Sequence, residues 1–168
     1  MRDVFIDFSV RKLRQSCERI ETCVGTLSDE QIWWRGAETQ NSIGNLVLHL
    51  CGNVGQWIVA GIGGAPDVRH RDSEFAARSE AGRDELLRRL RDRLEEAATV
   101  IDAVSAERLS DRIKPQQYEV SVLEAIYHVV EHFSHHTGQI IYATKLLTNQ
   151  DLGFYKHLSA TVHRERTP

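Results

Sequence analysis

Four of the chain's eight histidines fall within nine consecutive residues, at positions 128, 132, 135 and 136. Two histidines spaced i, i+4 on a helix project from the same face one turn apart, so both can ligate one metal ion. His128 with His132, and His132 with His136, have this spacing. The cluster therefore predicts a metal site on a helix, although a pair of hydrogen-bonded helix histidines would show the same spacing.

A helical wheel separates the two candidate pairs. His132 and His136 fall beside the apolar face of the segment, which is centred near Phe133. His128 and His135 lie further round, toward the polar side. The wheel therefore favours His132 and His136 as the pair that faces the protein interior.

A third candidate ligand is His49, midway along another predicted helix. Asn45, Asn53 and Gln56 share its stripe, beside an apolar packing face. These amides are candidates for supporting a ligated histidine or contacting a substrate, and interhelical hydrogen bonds would explain them equally well. His128 and Gln139 are further candidates for the same supporting or substrate-binding roles.

Three histidines without a fourth protein ligand leave open coordination positions, as in a reactive metal site. Imidazole suits zinc, nickel, copper and iron about equally, so this ligand set does not choose the metal. An open metal ion lowers the pKa of a bound water or binds and activates a thiolate. The catalytic group would then be the metal ion itself, and no side chain is assigned a catalytic role.

The segment from His128 to His132 also matches the H-x-x-E-H pattern of one class of metallopeptidases, with Glu131 as the acid. Such an enzyme needs a third protein ligand, and only 36 residues follow His132. The wheel also turns Glu131 well away from the apolar face. The lack of a third protein ligand and the position of Glu131 therefore disfavour a peptidase.

Helical periodicity and capping signals predict four long helices and one short one. The long segments cover residues 4–27, 42–60, 83–104 and 121–147, a short turn of helix carries Trp33 and Trp34, and residues 67–82 form a long polar loop. This order predicts an all-α fold, a four-helix bundle formed by a single domain over residues 1–168. The short helix is extra to the bundle, and the long loop joins its second and third helices.

Composition excludes several classes of protein. The formal net charge of −3 offers no basic excess for a nucleic-acid backbone. No apolar run approaches the roughly 20 residues of a membrane span, and the first residues do not form a secretory signal. Three cysteines with no suitable disulfide spacing are typical of reduced thiols. We expect a cytoplasmic protein, and a homodimer is plausible because long bundle helices often leave an apolar stripe to pair.

Two blocks of sequence resemble the DinB/YfiT-like superfamily of metal-binding four-helix bundles. The first runs from Asn41 to Trp57 around His49, and the second is the H-x-x-x-H-x-Gly-Gln segment that begins at His132. Three further stretches resemble a subgroup of that superfamily that is catalogued only as a domain of unknown function. They are Trp33-Trp34, the segment from Arg69 to Phe75, and the segment from Asp151 to Tyr155.

The resemblance implies a metal ion bound by His49, His132 and His136, with nickel or zinc the usual metals and iron a further option. Characterised relatives include thiol S-transferases that use bacillithiol, mycothiol or glutathione, and a thiol-dependent maleylpyruvate isomerase. We therefore expect a metal-dependent enzyme that transfers a low-molecular-weight thiol to a small electrophile. The alternatives are a non-catalytic, stress-associated metal-binding bundle, a metal-dependent hydrolase, and a bundle whose histidines hold no metal.

Two arginines and the tryptophans can each have either a ligand-binding role or a structural one. Arg69 and Arg71 can bind a carboxylate of a thiol or substrate, or they can order the loop by pairing with Asp72 and Glu74. The three tryptophans, Trp57 among them, can line a pocket or pack in the core. Near the carboxyl end of the chain, His157 and His163 are expected at the surface.

Overall fold

The computed structural model describes residues 1–159, so His163 lies outside the described part of the chain. This part is predominantly helical, and four of its helices are long. The α-helices are α1 (Arg2–Gly25), α2 (Asp29–Trp33), α3 (Ile43–Val54), α4 (Arg71–Ala76), α5 (Arg83–Asp102) and α6 (Val122–Thr148). Short 3-10 turns cover Glu107–Ser110, Pro115–Gln117 and Lys156–Ser159.

Capping boxes fix where the predicted helices begin. Ser28 starts α2 and Ser121 starts α6, and each serine side chain accepts a hydrogen bond from a backbone N–H three residues later. The side chains of Gln31 and Glu124 return the bond to the backbone of the capping serine. These pairs satisfy N–H groups that have no partner inside a helix, and they confirm both predicted starts.

The predicted helix that ends near Ala60 changes its hydrogen-bond pattern before that residue. It is α-helical to Val54 and π-helical over Gly55–Ala60. π-Helical turns add a residue to each hydrogen-bonded ring and often occur at functional sites. Here the π-helical segment carries Gln56 and Trp57.

The predicted long loop over residues 67–82 is partly wrong, because it contains the helix α4. Asn45 of α3 donates a hydrogen bond from Nδ2 to the carbonyl oxygens of Glu74 (2.8 Å) and Ala77 (2.9 Å). Those carbonyls lie at the end of α4, where a helix leaves its last acceptors without partners. The Asn45 side chain therefore satisfies the carboxyl end of this six-residue helix. The sequence of α4 has no apolar periodicity from which the helix could be predicted.

The long helices pack in a regular order. α1 lies against α5 and α6, and α3 lies against the same two helices. Ion pairs join Arg14 to Glu95 and Glu21 to Arg91, so α1 and α5 run antiparallel. The interior is mostly aliphatic and includes Phe133 of α6. Each buried large apolar side chain favours folding by about 1.5–3 kcal/mol.

A small departure from an all-α chain lies between α5 and α6. Strand β1 (Arg112–Ile113) pairs antiparallel with β2 (Val120–Ser121), with Arg112 opposite Ser121. The connecting turn holds Gln116 and Gln117 at φ of 48° and 68°, in the left-handed region that few residues other than glycine adopt. The hairpin places this turn beside the π-helical segment of α3.

In residues 1–159, none of the helices combines the length and the apolar character that crossing a bilayer requires.

Candidate metal centre

The three predicted ligands come together between α3 and α6. His132 Nε2 lies 3.1 Å from His49 Nε2 and 3.2 Å from His136 Nε2. All three ligand atoms lie within 4.8 Å of one another. Two imidazole nitrogens on a tetrahedral ion at 2.0–2.1 Å are about 3.3 Å apart, so the two distances from His132 Nε2 match those between ligands of one metal ion.

The hydrogen-bonding capacity of His132 Nε2 does not match its surroundings. A ring nitrogen has one in-plane site, which is either a lone pair or an N–H, so it can make one hydrogen bond and not two. His132 Nε2 nevertheless faces two other ring nitrogens, and the buried Nδ1 of the same ring has no partner. A cation placed among the three nitrogens would accept all their lone pairs at once. The cluster therefore fits a metal ion better than a hydrogen-bonded group of histidines.

Glu74 fixes the orientation and tautomer of His49. The carboxylate of this buried residue lies 2.9 Å from His49 Nδ1. Arg69 Nη2 lies 3.1 Å from the same nitrogen but is closer to the carboxylate, at 2.9 Å, and donates to it. A carboxylate can only accept, so Nδ1 carries the proton and Nε2 presents its lone pair to the other histidines. Carboxylate–histidine–metal arrangements of this kind orient the ring and raise the basicity of the ligand.

Arg69 secures Glu74 in turn. Its Nε and Nη2 donate to the two carboxylate oxygens at 2.7 and 2.9 Å, and its Nη1 donates to Gln56 Oε1 at 2.9 Å. Burial alone would raise the pKa of the Glu74 carboxyl, but hydrogen bonds from Arg69 and His49 outweigh it and leave the pKa below its ordinary value. The carboxylate is therefore ionised at neutral pH, as its role toward His49 requires.

Gln139 supports the third histidine in a similar way. Its Oε1 lies 2.7 Å from His136 Nδ1, and its Nε2 lies 3.3 Å from His135 Nε2. The amide oxygen accepts the Nδ1 proton of His136, which leaves the lone pair on Nε2. Gln139 thus acts through His136, while His135 is exposed on the outer side.

The surroundings of the histidines on α6 favour their neutral form. The pKa of His132 is lowered to about 3, mainly by burial and also by the neighbouring His136 and His49. Burial is also the largest cause of the lowered pKa values of His136 and His128. Neutral imidazole is the form that ligates a metal ion.

A cavity of about 450 Å³ opens beside the cluster and is bordered by His49 and His132. One wall is aromatic, because the ring of Trp57 lies 4.2 Å from that of His128. Asn53 also lines the cavity, and its buried Oδ1 has no donor within residues 1–159. A small molecule in this cavity would reach both the histidine nitrogens and an acceptor that lacks a partner.

Comparisons with known proteins bear on fold and family. A family model described as "Protein of unknown function (DUF1572)" matches residues 2–163. The chain belongs to the DUF1572 family. A crystal structure of a conserved protein from Enterococcus faecalis superposes with a TM-score of 0.72 at 19% identity, over 86% of this chain and 97% of that chain. Such a likeness shows a shared fold, and no curated protein matches the sequence.

Two predicted polar residues lie away from the cavity of this DUF1572 chain. Asn45 is buried, where its side chain accepts from the backbone N–H of Ser42, the N-cap of α3, and anchors α4. Gln56 contacts Arg69 and Asp67. Both amides act on the histidines only through the segment that carries Glu74. Asn53 and His128 do line the cavity, so His128 lies further inward than the wheel predicts.

The tryptophans have different roles: Trp33 packs against Gly44, and Trp57 lines the cavity. Trp33 covers Gly44, where a Cβ would come within 2.9 Å of the ring, and its Nε1 donates to the carbonyl of Ala81. Trp34 is half-exposed, whereas Trp57 is buried and lines the cavity. The packing interpretation therefore holds for Trp33, and the pocket interpretation holds for Trp57.

Sequence reasoning missed the functional contact of Glu74. From the sequence, Glu74 is expected only to order the loop, and it does pair with Arg69. The available signal was the expectation that a metal-ligating histidine donates its second N–H to a carboxylate. Tyr118 and Gln116, which also border the cavity, carry no sequence signal because they belong to a short hairpin.

Proposed function

We propose that this DUF1572 chain holds a divalent transition metal on His49, His132 and His136. The observation that carries the proposal is the convergence of three ring nitrogens, which hydrogen bonds alone cannot satisfy. Three imidazoles accept nickel, zinc or iron, and they leave positions free for a ligand. In this proposal α1, α3, α5 and α6 form a DinB-like four-helix bundle with the site between two of its helices.

We further propose that the protein is an enzyme, a metal-dependent thiol S-transferase acting on a small electrophile. When bound, the metal would favour the thiolate form of a ligand sulfur and present it for reaction. The sulfur forms a bond to the electrophilic carbon, the leaving group departs with its bonding electron pair, and the thiol proton passes to solvent. The cavity beside the histidines supplies space for both reactants.

The sulfur in this reaction comes from a ligand and not from the chain. Burial raises the pKa of Cys17 and of Cys51 to about 12, and it also raises the pKa of Cys23. A thiol with so high a pKa is protonated at neutral pH, and the thiolate is the nucleophile. None of the three cysteines lines the cavity beside the histidines.

The chain's own residues prepare the site. Glu74 keeps the proton of His49 on Nδ1, and Gln139 does the same for His136. Arg69 neutralises Glu74, so the carboxylate remains a hydrogen-bond acceptor in a buried position. Trp57 and His128 border the cavity and form part of its aromatic wall.

A turnover assay tests this function. Protein reconstituted with nickel, zinc or iron would be incubated with 1-chloro-2,4-dinitrobenzene and one thiol at a time, including glutathione and cysteine. We expect thiol-dependent loss of the electrophile with at least one metal, no reaction in His132→Ala, and normal reaction in His70→Ala. His70 is an exposed histidine outside the cluster and serves as the matched control.

If the wild type binds metal but no thiol reacts faster than in solution, the transferase proposal fails. The metal-binding part of the proposal would then stand alone, as in a non-catalytic metal-binding protein.

A further inference from the structure

Within the described part of the chain, the cavity beside the histidines is lined by one arginine that no carboxylate neutralises. Arg69 lines the cavity but is paired with Glu74. Arg71 also lines it, and within residues 1–159 no carboxylate pairs with its guanidinium, which lies 4.8 Å over the ring of Phe75. Glu124, the carboxylate at the cavity rim, already accepts from the side chain of Ser121.

The position of Arg71 relative to the histidines limits the size of a ligand that would reach both. Phe75 separates them, since its ring lies 4.8 Å from Arg71 Cζ and 4.8 Å from the ring of His49. The guanidinium is therefore no more than about 10 Å from the His49 ring, a span that a ligand of four to six heavy atoms, with the atoms that carry its two end groups counted, can bridge.

Another part of the cavity wall is aromatic. The ring of Tyr118 is stacked on that of Trp57 at 6.1 Å, and Trp57 Nε1 donates to Gln116 Oε1 at 3.3 Å. Gln116 and Gln117 adopt left-handed backbone conformations in this turn, a costly arrangement that concentrates at ligand-binding sites. The hairpin thus gives the cavity an aromatic surface in addition to its cation.

A second observation points to a hydrogen-bond donor in the cavity, which an ordered water or an N–H or O–H group of a ligand would supply. Asn53 is 3% exposed, lines the cavity, and has an Oδ1 that accepts from no described group. A buried acceptor without a partner is unfavourable, and it gains a donor when a ligand or an ordered water enters.

We propose that this cavity selects small molecules that carry a carboxylate, and that Arg71 binds that carboxylate. A guanidinium fork matches the two oxygens of a carboxylate, and a single arginine balances its single charge. The body of the ligand packs against Trp57 and Tyr118, and its other end lies at the three histidines. The assignment rests on the proposed function, because that end is taken to be a metal-binding sulfur.

The test compares two ligands of equal length that differ in charge. Wild-type protein loaded with Co²⁺ would be titrated with 3-mercaptopropionate and with 3-mercapto-1-propanol, and binding would be followed by the visible absorption of the metal. Arg71→Ala and Arg11→Ala would be titrated in parallel. Arg11 is a matched control, because it is also exposed and lies over a phenylalanine ring, that of Phe8.

We expect the wild type and Arg11→Ala to prefer the carboxylate thiol by about tenfold, the lower range for a charged hydrogen bond at an exposed group. Arg71→Ala should lose this preference while it binds the alcohol unchanged. Tyr118→Ala should weaken both ligands by similar factors. Equal binding of the two ligands by the wild type, or a preference that survives in Arg71→Ala, would overturn the assignment.

The two proposals fail in distinguishable ways. If Co²⁺ binds but neither thiol changes its spectrum, the thiol function fails. Calorimetric titration of the same proteins with succinate then decides the carboxylate assignment. Succinate binding that is lost in Arg71→Ala and kept in Arg11→Ala supports it, and the absence of binding to the wild type refutes it.

Discussion

Glu74 determines which nitrogen of His49 faces the other two histidines. Its carboxylate accepts the Nδ1 proton at 2.9 Å, and Arg69 holds that carboxylate in place. The residue comes from a different element than any of the three candidate ligands. Its contribution is therefore to orientation and basicity, and it can be tested without removing a ligand.

Replacing Glu74 with glutamine should weaken metal binding by about 10- to 100-fold, the usual effect of losing such a supporting contact. The amide keeps the size of the side chain but removes the charge that balances Arg69. The dissociation constant would be measured by competition with a chromophoric chelator. Asp72→Asn is the matched control, because Asp72 is an exposed acid of the same short helix. Equal affinities for the wild type and Glu74→Gln would contradict this role.

At the scale of elements, the site depends on how closely α4 approaches α3. Gly52 of α3 lies directly under the Glu74 carboxylate, and a Cβ at this position would overlap that carboxylate and lie 2.9 Å from Arg69 Nε. Because both charged side chains are buried and paired, neither can move aside without losing its partner. Position 52 therefore requires glycine, because no Cβ fits between α3 and the Glu74 carboxylate of α4.

Gly52→Ala should lower the free energy of unfolding by about 1–3 kcal/mol, as overpacking does, and should weaken metal binding as well. Gly138→Ala is the control, since a Cβ there meets nothing within 4 Å. Alanine favours a helix over glycine, so the control should stabilise the protein by up to about 1 kcal/mol. Urea denaturation of both variants measures the difference. A neutral or stabilising effect of Gly52→Ala would show that the contact is not tight.

The sequence could predict the parts of the site that lie on long periodic helices. The i, i+4 spacing predicts that His132 and His136 share one face of a helix. The position of His49 within another apolar helix makes it the candidate for a third ligand. The role of Glu74 could not be predicted in this way. Its helix is six residues long, it buries one charged residue instead of an apolar face, and its docking depends on a hydrogen bond from Asn45.

The same distinction applies to the fold. Four long helices follow from the hydrophobic period, because each buries a continuous stripe of side chains. The two-residue strands β1 and β2 are too short to show alternation, so the hairpin that carries Tyr118 has no sequence signal. The elements that shape the cavity are those whose conformation is set by tertiary contacts.

At the scale of the whole molecule, a metal ion would join two helices that are distant in sequence. His49 lies on α3 and the other two ligands lie on α6, so an ion bound only by the folded state ties these helices together. Binding to the folded state raises stability by mass action, by about 2.7 kcal/mol when free metal is 100 times its dissociation constant.

We therefore expect the Tm of the wild type to rise when metal is added and to fall when a chelator removes it. His132→Ala should show neither change, because two histidines bind an ion far more weakly than three. Thermal unfolding followed by circular dichroism measures both proteins under the same conditions. A similar metal-dependent increase in the Tm of His132→Ala would place the ion at another site.

The most direct test of the metal centre is elemental analysis of untagged protein purified without chelators. Wild type, His132→Ala and His70→Ala would be compared from parallel preparations. We predict about one equivalent of nickel, zinc or iron in the wild type and in His70→Ala, and none in His132→Ala. Full metal content in His132→Ala, or no metal in the wild type even after reconstitution, would contradict the assignment of His49, His132 and His136 as ligands.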